Sequence, residues 1–190
     1  MWDVKSRDAR PLLVLEEAKD GVTAIVVPNN GYEFISGSTD GRVRSYDIRM
    51  GRCTCDVMPG SVTSLDIARD TRSVLVGCLD GKIRLMDRAD GTCLRAFPAD
   101  GEGRGYKNEA LRLKSCLAVN EALVISGSES DGRVRAWDVV SGKMVSDVEV
   151  SGAGKVISVV RWREASKALG KQGVWAAGGA DGVVKIYGGD

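Results

Sequence analysis

Four aspartates precede four glycines in one recurring pattern: Asp40-Gly41, Asp80-Gly81, Asp131-Gly132 and Asp181-Gly182. The aspartates lie 40, 51 and 50 residues apart. A ring of carboxylates could serve acid–base catalysis, given a partner group that takes or returns the proton. The chain has no histidine. That removes histidine-based catalysis and mixed Cys/His zinc sites together. A structural role suits the aspartates better. One Asp per repeat, always before Gly, is what a hairpin turn needs, because Asp tolerates the left-handed region and bonds its own backbone. Asp-Gly predicts a type I′ turn, with positive φ at both central residues.

A basic residue follows each aspartate at a fixed offset: Arg44, Arg84, Arg135 and Lys185. A positive stripe for RNA or an acidic peptide is one reading. The other is that each stem covers the aromatic or apolar residue two places on, with cation–π contacts at Tyr46, Trp137 and Tyr187. Recurrence in every unit favours the second. The denser set Arg42, Arg44, Arg49 and Arg52 occurs in one unit only and is a candidate partner contact. So are Arg104, Tyr106 and Lys107, in the long Gly-rich link Pro98–Leu111. A second long connection runs Arg163–Gly173. Loops on a rigid scaffold are where function tends to sit. The run Gly101–Gly105 looks faintly like a phosphate loop, yet no Lys-Ser/Thr follows and no helix opens there. No nucleophile–base pair or metal cluster is found, so no enzyme activity, metal or cofactor is expected.

The elements that position these residues repeat as well. Each Asp-Gly is preceded by a short apolar run ending in a small residue and Gly, and followed by an alternating strand. In Arg42–Asp47, Val43 and Ser45 take one face and Arg44 and Tyr46 the other. The first full unit reads as strands Val22–Val27, Glu33–Gly37, Arg42–Asp47 and Cys53–Met58. The second reads Val62–Ile67, Ser73–Cys78, Lys82–Asp87 and Thr92–Phe97. The third reads Lys114–Val119, Ala122–Gly127, Arg133–Asp138 and Lys143–Val150. The fourth has Val156–Trp162, Gly173–Gly178 and Val183–Tyr187, with no outer strand. Pro11–Glu17 reads as the outer strand of a preceding unit. Self-similarity at this period means stacked supersecondary units, divided at about 1–20 (partial), 21–60, 61–100, 112–152 and 153–190.

Composition agrees with one all-β domain. The 190 residues carry net charge +1 and 43% hydrophobic residues, enough for a compact core. Near-zero charge argues against a general nucleic-acid binder. The five cysteines, Cys53, Cys55, Cys78, Cys93 and Cys116, are odd in number and scattered, and read as reduced, buried thiols. No apolar leader precedes residue 20, and no run reaches the ~18 residues of a membrane helix. A cytoplasmic or nuclear location is the expectation.

The strand ends Tyr46-Asp47, Met86-Asp87 and Trp137-Asp138 echo the WD dipeptide of propeller blades. Over nearly its whole length the chain resembles the WD-repeat β-propeller family. The run Asp40–Gly51, with Leu15–Val22 upstream, is similar to the mitogen-activated protein kinase organizer subgroup, small scaffolds also found in spliceosomal complexes. The resemblance implies an all-β WD-repeat propeller, with about four blades present of a roughly seven-bladed ring. It implies a non-catalytic scaffold that binds other proteins, either an adaptor of a kinase cascade or a subunit of a pre-mRNA splicing complex. Direct RNA contact is weak or indirect, and no membrane is involved. Three states are open: a fragment, a closed four-bladed ring, or self-association through open propeller edges. In the family the turn Asp also holds a His from the preceding link and a hydroxyl on the second strand. Here Asp20-Gly21, Gly60-Ser61 and Gly154-Lys155 replace the Gly-His pair, so that network cannot form. The carboxylates are expected instead on link amides and on the hydroxyls of Thr23, Thr63 and Ser158.

Overall fold

A computed structural model describes residues 5, 10–98, 106–152, 154–164 and 173–188. Among the described residues, fifteen strands make four antiparallel sheets. The first sheet has β1 (Val22–Val26), β2 (Glu33–Ser38), β3 (Arg42–Asp47) and β4 (Arg52–Val57). The second has β5 (Val62–Ile67), β6 (Ser73–Cys78), β7 (Ile83–Asp87) and β8 (Cys93–Phe97). The third has β9 (Ser115–Ala118), β10 (Leu123–Gly127), β11 (Arg133–Asp138) and β12 (Met144–Glu149). The fourth has β13 (Ile157–Arg163), β14 (Val174–Gly179) and β15 (Val184–Gly188). Every sheet is a meander, its strands paired in chain order. Sequential hairpins suffice for such sheets because antiparallel strands need no long crossover.

The Asp-Gly turns differ from expectation in type. Ser38 pairs with Arg42, which leaves a three-residue loop, Thr39-Asp40-Gly41. Only the glycine adopts positive φ, at 74°, and Gly81, Gly132 and Gly182 repeat it at 75°, 68° and 73°. Among the described residues none of the turn aspartates has positive φ. This is a tight turn closed by a left-handed glycine, which a three-residue loop requires in place of the two-residue I′ form. Each aspartate caps the turn by accepting the amide two residues on: Arg42, Lys82, Arg133 and Val183, at 3.1–3.2 Å.

Burial follows the period-2 pattern, and it creates three cores. Ile35, Val43, Val62, Leu65 and Val76 fill the space between the first and second sheets. Leu75, Ile83, Phe97, Val124 and Trp137 fill the next. Cys116, Ile125, Val134, Ile157 and Val160 fill the third. Among the described residues no core cluster joins the first sheet to the fourth, so these four sheets form an open arc. Pro11–Glu17, expected as a strand, forms none, because no described sheet precedes it to pair with.

The small-residue-then-Gly ending of β10 has a packing cause. A Cβ on Gly127 would lie 2.0 Å from the carbonyl oxygen of Ile157, on the inner strand of the next sheet. Gly127→Ala is therefore expected to cost about 1–3 kcal/mol by overpacking. That corresponds to a midpoint drop of about 2–4 °C per kcal/mol for a chain of this size. Gly178→Ala, where nothing comes closer than 4.0 Å, is the matched control. Thermal unfolding followed by circular dichroism reads the difference, and equal midpoints would contradict the close approach.

Three of the five thiols are not buried as expected. Cys53 and Cys55 on β4 and Cys93 on β8 are exposed, while Cys78 and Cys116 are buried. Outer strands have no neighbour on their far edge, so their side chains stay wet. All five are free.

Candidate protein-interaction surface

The basic ladder is the partner of the turn aspartates. Arg44 grips Asp40 through both guanidinium ends, at 2.7 and 3.3 Å, with side chains only 4% and 7% exposed. Arg84 repeats this on Asp80 at 2.5 and 3.1 Å. Such a fork-on-carboxylate contact is the strong form of an ion pair. Arg135 meets Asp131 through Nη2 alone. The extra residue before Asp131 displaces the carboxylate, and the buried Nη1 of Arg135 has no hydrogen-bond partner. In the fourth sheet Lys185 turns away and donates to the carbonyl of Val150, while Asp181 accepts from Ser151 at 2.8 Å.

The positive stripe and the expected cation–π contacts therefore do not match the structure. The charges are neutralised, so no positive stripe exists along Arg44, Arg84 and Arg135. The aromatics at the strand ends find other rings instead of the cations. Tyr46 stacks on Phe34 at 4.7 Å and Tyr187 on Trp175 at 4.1 Å. Trp137 takes Tyr106 edge-on at 5.2 Å and 83°. The cation–π contact seen is Arg49 over Tyr32, 3.5 Å from the ring centre.

The proposed hydroxyl partners also turn elsewhere. Thr23 donates to the carbonyls of Gly37 and Val62, so it links the first sheet to the second. Thr63 accepts from Asn108, and Ser158 donates to Gly178. Asp40 does accept one link amide, from Lys19 at 3.0 Å, and a second-strand hydroxyl, from Ser38. These groups are carbonyl-facing or turn-facing because of strand register, which fixed offsets along the sequence cannot show.

The pKa pattern follows from these partners. Arg44 holds the Asp40 carboxyl far below the ordinary carboxylate range. Burial pushes Asp131 up, but the hydrogen bond and charge of Arg135, with bonds from Ser128 and the Arg133 amide, together outweigh it and the net shift is downward. The Val183 amide and the Ser151 hydroxyl lower Asp181. Asp66, unremarked in the sequence, goes the other way because it is buried. It accepts the Leu117 amide at 2.9 Å and lies 3.7 Å from Arg161, so it ties three sheets together.

The candidate partner residues scatter. Arg42 stands at the start of β3 opposite Val57, whereas Arg52 lies opposite Asp47 at its far end. Five residue steps at about 3.3 Å separate them by roughly 17 Å. Arg44 is buried, and Arg49 and Arg52 are exposed near the β3–β4 turn. The four arginines do not form one patch. Tyr106 is buried at 7% exposure, bonds Ser126 and has its hydroxyl pushed up to about 12 by that burial. It plugs the second core and is not open to a partner. Lys107 is exposed, and its carbonyl receives the Glu129 amide beside the third Asp-Gly turn. The neighbouring Asn108 carbonyl receives the Gly81 amide, so this link clamps two successive turns. Arg104, with the rest of 99–105, and the segment 165–172 lie outside the described residues. What remains is a set of loop-lined sheet ends, with Arg42 at one end of the first sheet, Arg49 and Arg52 at the other, and Lys107 on the link, as separate candidate positions.

The family profile "WD domain, G-beta repeat" matches residues 9–47 and 52–87. The chain belongs to the WD40-repeat family. The chain is 39% identical to WD repeat domain-containing protein 83 of Rattus norvegicus over 140 residues, 74% of this chain and 42% of that protein. The Homo sapiens protein of the same name is 39% identical over 154 residues, 81% of this chain and 46% of that one. The chain spans about half the length of the curated relatives it matches. By fold it overlays the computationally designed Ika4 protein with a TM-score of 0.65 at 20% identity, covering 95% of this chain and 99% of that one. The designed Ika8 protein gives 0.64 at 21% identity, covering 92% of this chain and 48% of that one. The WD40 assignment and the four antiparallel sheets agree: this is an all-β, propeller-type arc, as the resemblance implied. WD40 repeats generally mediate protein–protein contacts.

Proposed function

We propose that this WD40 chain is a non-catalytic scaffold that holds other proteins on its loop-lined rims. The observation that carries the reading is the locking of the Asp-Gly turns. The buried Arg–Asp fork at Asp40, the partly buried one at Asp80 and the 106–108 link clamped on two turns hold these turns in one shape. A surface fixed before binding loses little conformational entropy when a partner docks. The finer reading is an organiser of kinase-cascade components, which rests on the resemblance of Asp40–Gly51 to that subgroup. Membership of a pre-mRNA splicing complex is the second reading, from the same resemblance. Cytoplasm, nucleus or both would suit these roles.

Affinity capture from the native source, read by mass spectrometry, tests it. Recovery of kinase-pathway proteins supports the organiser role, and recovery of splicing factors supports the second. Capture of a small-molecule turnover activity with no stoichiometric protein partner would overturn the scaffold reading. RNA gives a separate expectation. With net charge +1 and the ladder neutralised, binding should be weaker than the 10⁻⁴–10⁻⁶ M order typical of non-specific nucleic-acid binders. Micromolar affinity with a steep salt dependence would contradict that.

A further inference from the structure

A cavity of about 150 Å³ lies between the third and fourth sheets. Leu123, Ile125, Val134 and Ala136 make one wall, and Trp162 and Trp175 the other. Among the described residues none that lines it is charged. The hollow does not follow from the fourth sheet having three strands. The first seam has a hollow at the same place, about 260 Å³, although the second sheet has four strands. There Glu33, Ser45 and Thr54 hold the register positions of Leu123, Ala136 and Ser146. What differs is the chemistry. Arg88 crosses the first seam to Glu33 at 2.9 Å, so that hollow is polar. Arg88 comes two residues after Met86. Two residues after Tyr187, which holds the place of Met86, the sequence has Gly189. With no arginine to cross and leucine in place of glutamate, the third seam keeps an apolar hollow.

The rim of this cavity is strained. Val119 stands there at 39% exposure with φ 52°, followed by Asn120 at 53° and Glu121 at 67°. A β-branched residue in the left-handed region is an outlier. Such strain persists only where the surroundings over-determine it, and it gathers at ligand clamps. Two neighbouring sheets pin this turn. Arg69, from the β5–β6 turn, donates to Asn120 Oδ1 at 3.1 Å and gives its amide to Glu121. Glu164, just past β13, accepts the Asn120 amide.

We propose that this cavity binds one uncharged apolar molecule the size of a single aromatic ring. Volume decides the class. Drug-sized ligands and cofactors take about 300–1,000 Å³. An apolar cavity of about 150 Å³ stays dry and accepts benzene. Charge narrows it further. A carboxylate or ammonium would give up its hydration here and gain no ionic partner in return. Two indoles in the wall add aromatic contact for a ring beyond what aliphatic walls supply.

The experiment titrates the 190-residue chain with toluene and reads both tryptophan fluorescence and the thermal midpoint. Saturable binding is expected, with a dissociation constant of about 1 mM or tighter, inside the efficiency range of very small ligands. The midpoint should rise with toluene concentration, because the ligand binds the folded chain. Benzoate keeps the ring and adds a charge, so it should bind at least about tenfold more weakly. Ala136→Leu fills the cavity from β11 and should weaken toluene binding about tenfold or more. Should that variant fail to fold, Val148→Phe, at a half-buried wall position on β12, makes the same test. No saturable response to toluene, equal affinity for benzoate, or unchanged toluene affinity in the folded filled variant would each overturn the site.

Discussion

Arg44→Met is expected to lower the unfolding free energy by about 3–5 kcal/mol, the cost of leaving one member of a buried ion pair alone. The change strips the fork from Asp40 in a site where both side chains are almost wholly covered. Asp40 keeps the amides of Lys19 and Arg42 and the Ser38 hydroxyl, so the lower part of that range applies. Asp40→Asn combined with Arg44→Met should recover most of the loss, because neutral groups of similar volume carry no uncompensated charge. Chemical denaturation measures all three. A single-variant loss below about 0.5 kcal/mol would mean the pair behaves as a screened surface contact. The pH profile follows with a definite sign. Asp40, Asp131 and Asp181 have lowered folded-state pKa values. Their contribution is complete above the unfolded aspartate pKa of about 4 and is lost as pH falls through the folded values. Acid should therefore destabilise the chain below about pH 4, and Asp40→Asn should flatten that limb. Asp66 is raised by burial, so its contribution runs oppositely and takes away part of the slope.

Trp137→Ala should cost about 3–5 kcal/mol, the range for truncating a large buried aromatic. Trp137 is fully buried between the second and third sheets, among Leu75, Ile83, Phe97 and Val124. It also carries the edge-on contact to Tyr106, which anchors the link clamped over two turns. Total stability of a domain is about 5–15 kcal/mol, so the variant is expected to be near its folding limit at 37 °C. Trp137→Phe should lose less, because a ring remains against Tyr106 and no indole N–H is left unpaired as Nε1 is now. Urea midpoints give the comparison. Equal stability of the Ala variant would mean the second core repacks around the hole.

Much of the architecture was legible because it repeats. Strand ends such as Arg42–Asp47 and Val62–Ile67 fall where alternation placed them. Turn positions were legible too, since Asp-Gly is a local signal. The turn type was not, because it depends on which residues pair across the loop, here Ser38 with Arg42. The Arg–Asp forks escaped for a related reason. Four residues separate Asp40 from Arg44, yet only a turn that folds the carboxylate back over the strand brings them together. Tyr106 was misread because a Gly-rich, charged stretch resembles an exposed loop, while its burial depends on Trp137 and Ser126 from distant strands. The cluster Arg42 to Arg52 was close in sequence and split in space, since an extended strand carries its ends apart. Function was legible only as far as the fold class, because fold alone does not choose the client.

The three cores are separate, each shared by just two neighbouring sheets. No single pool of side chains must be redesigned when the chain changes length. A duplication or deletion of one whole unit creates a junction of a kind the molecule already makes. The extra residue before Asp131 shows the same tolerance on a smaller scale, absorbed at one tip while Asp40 and Asp80 keep their forks. Ancestral growth by copying units, with drift confined to the tips, is the history this partition permits.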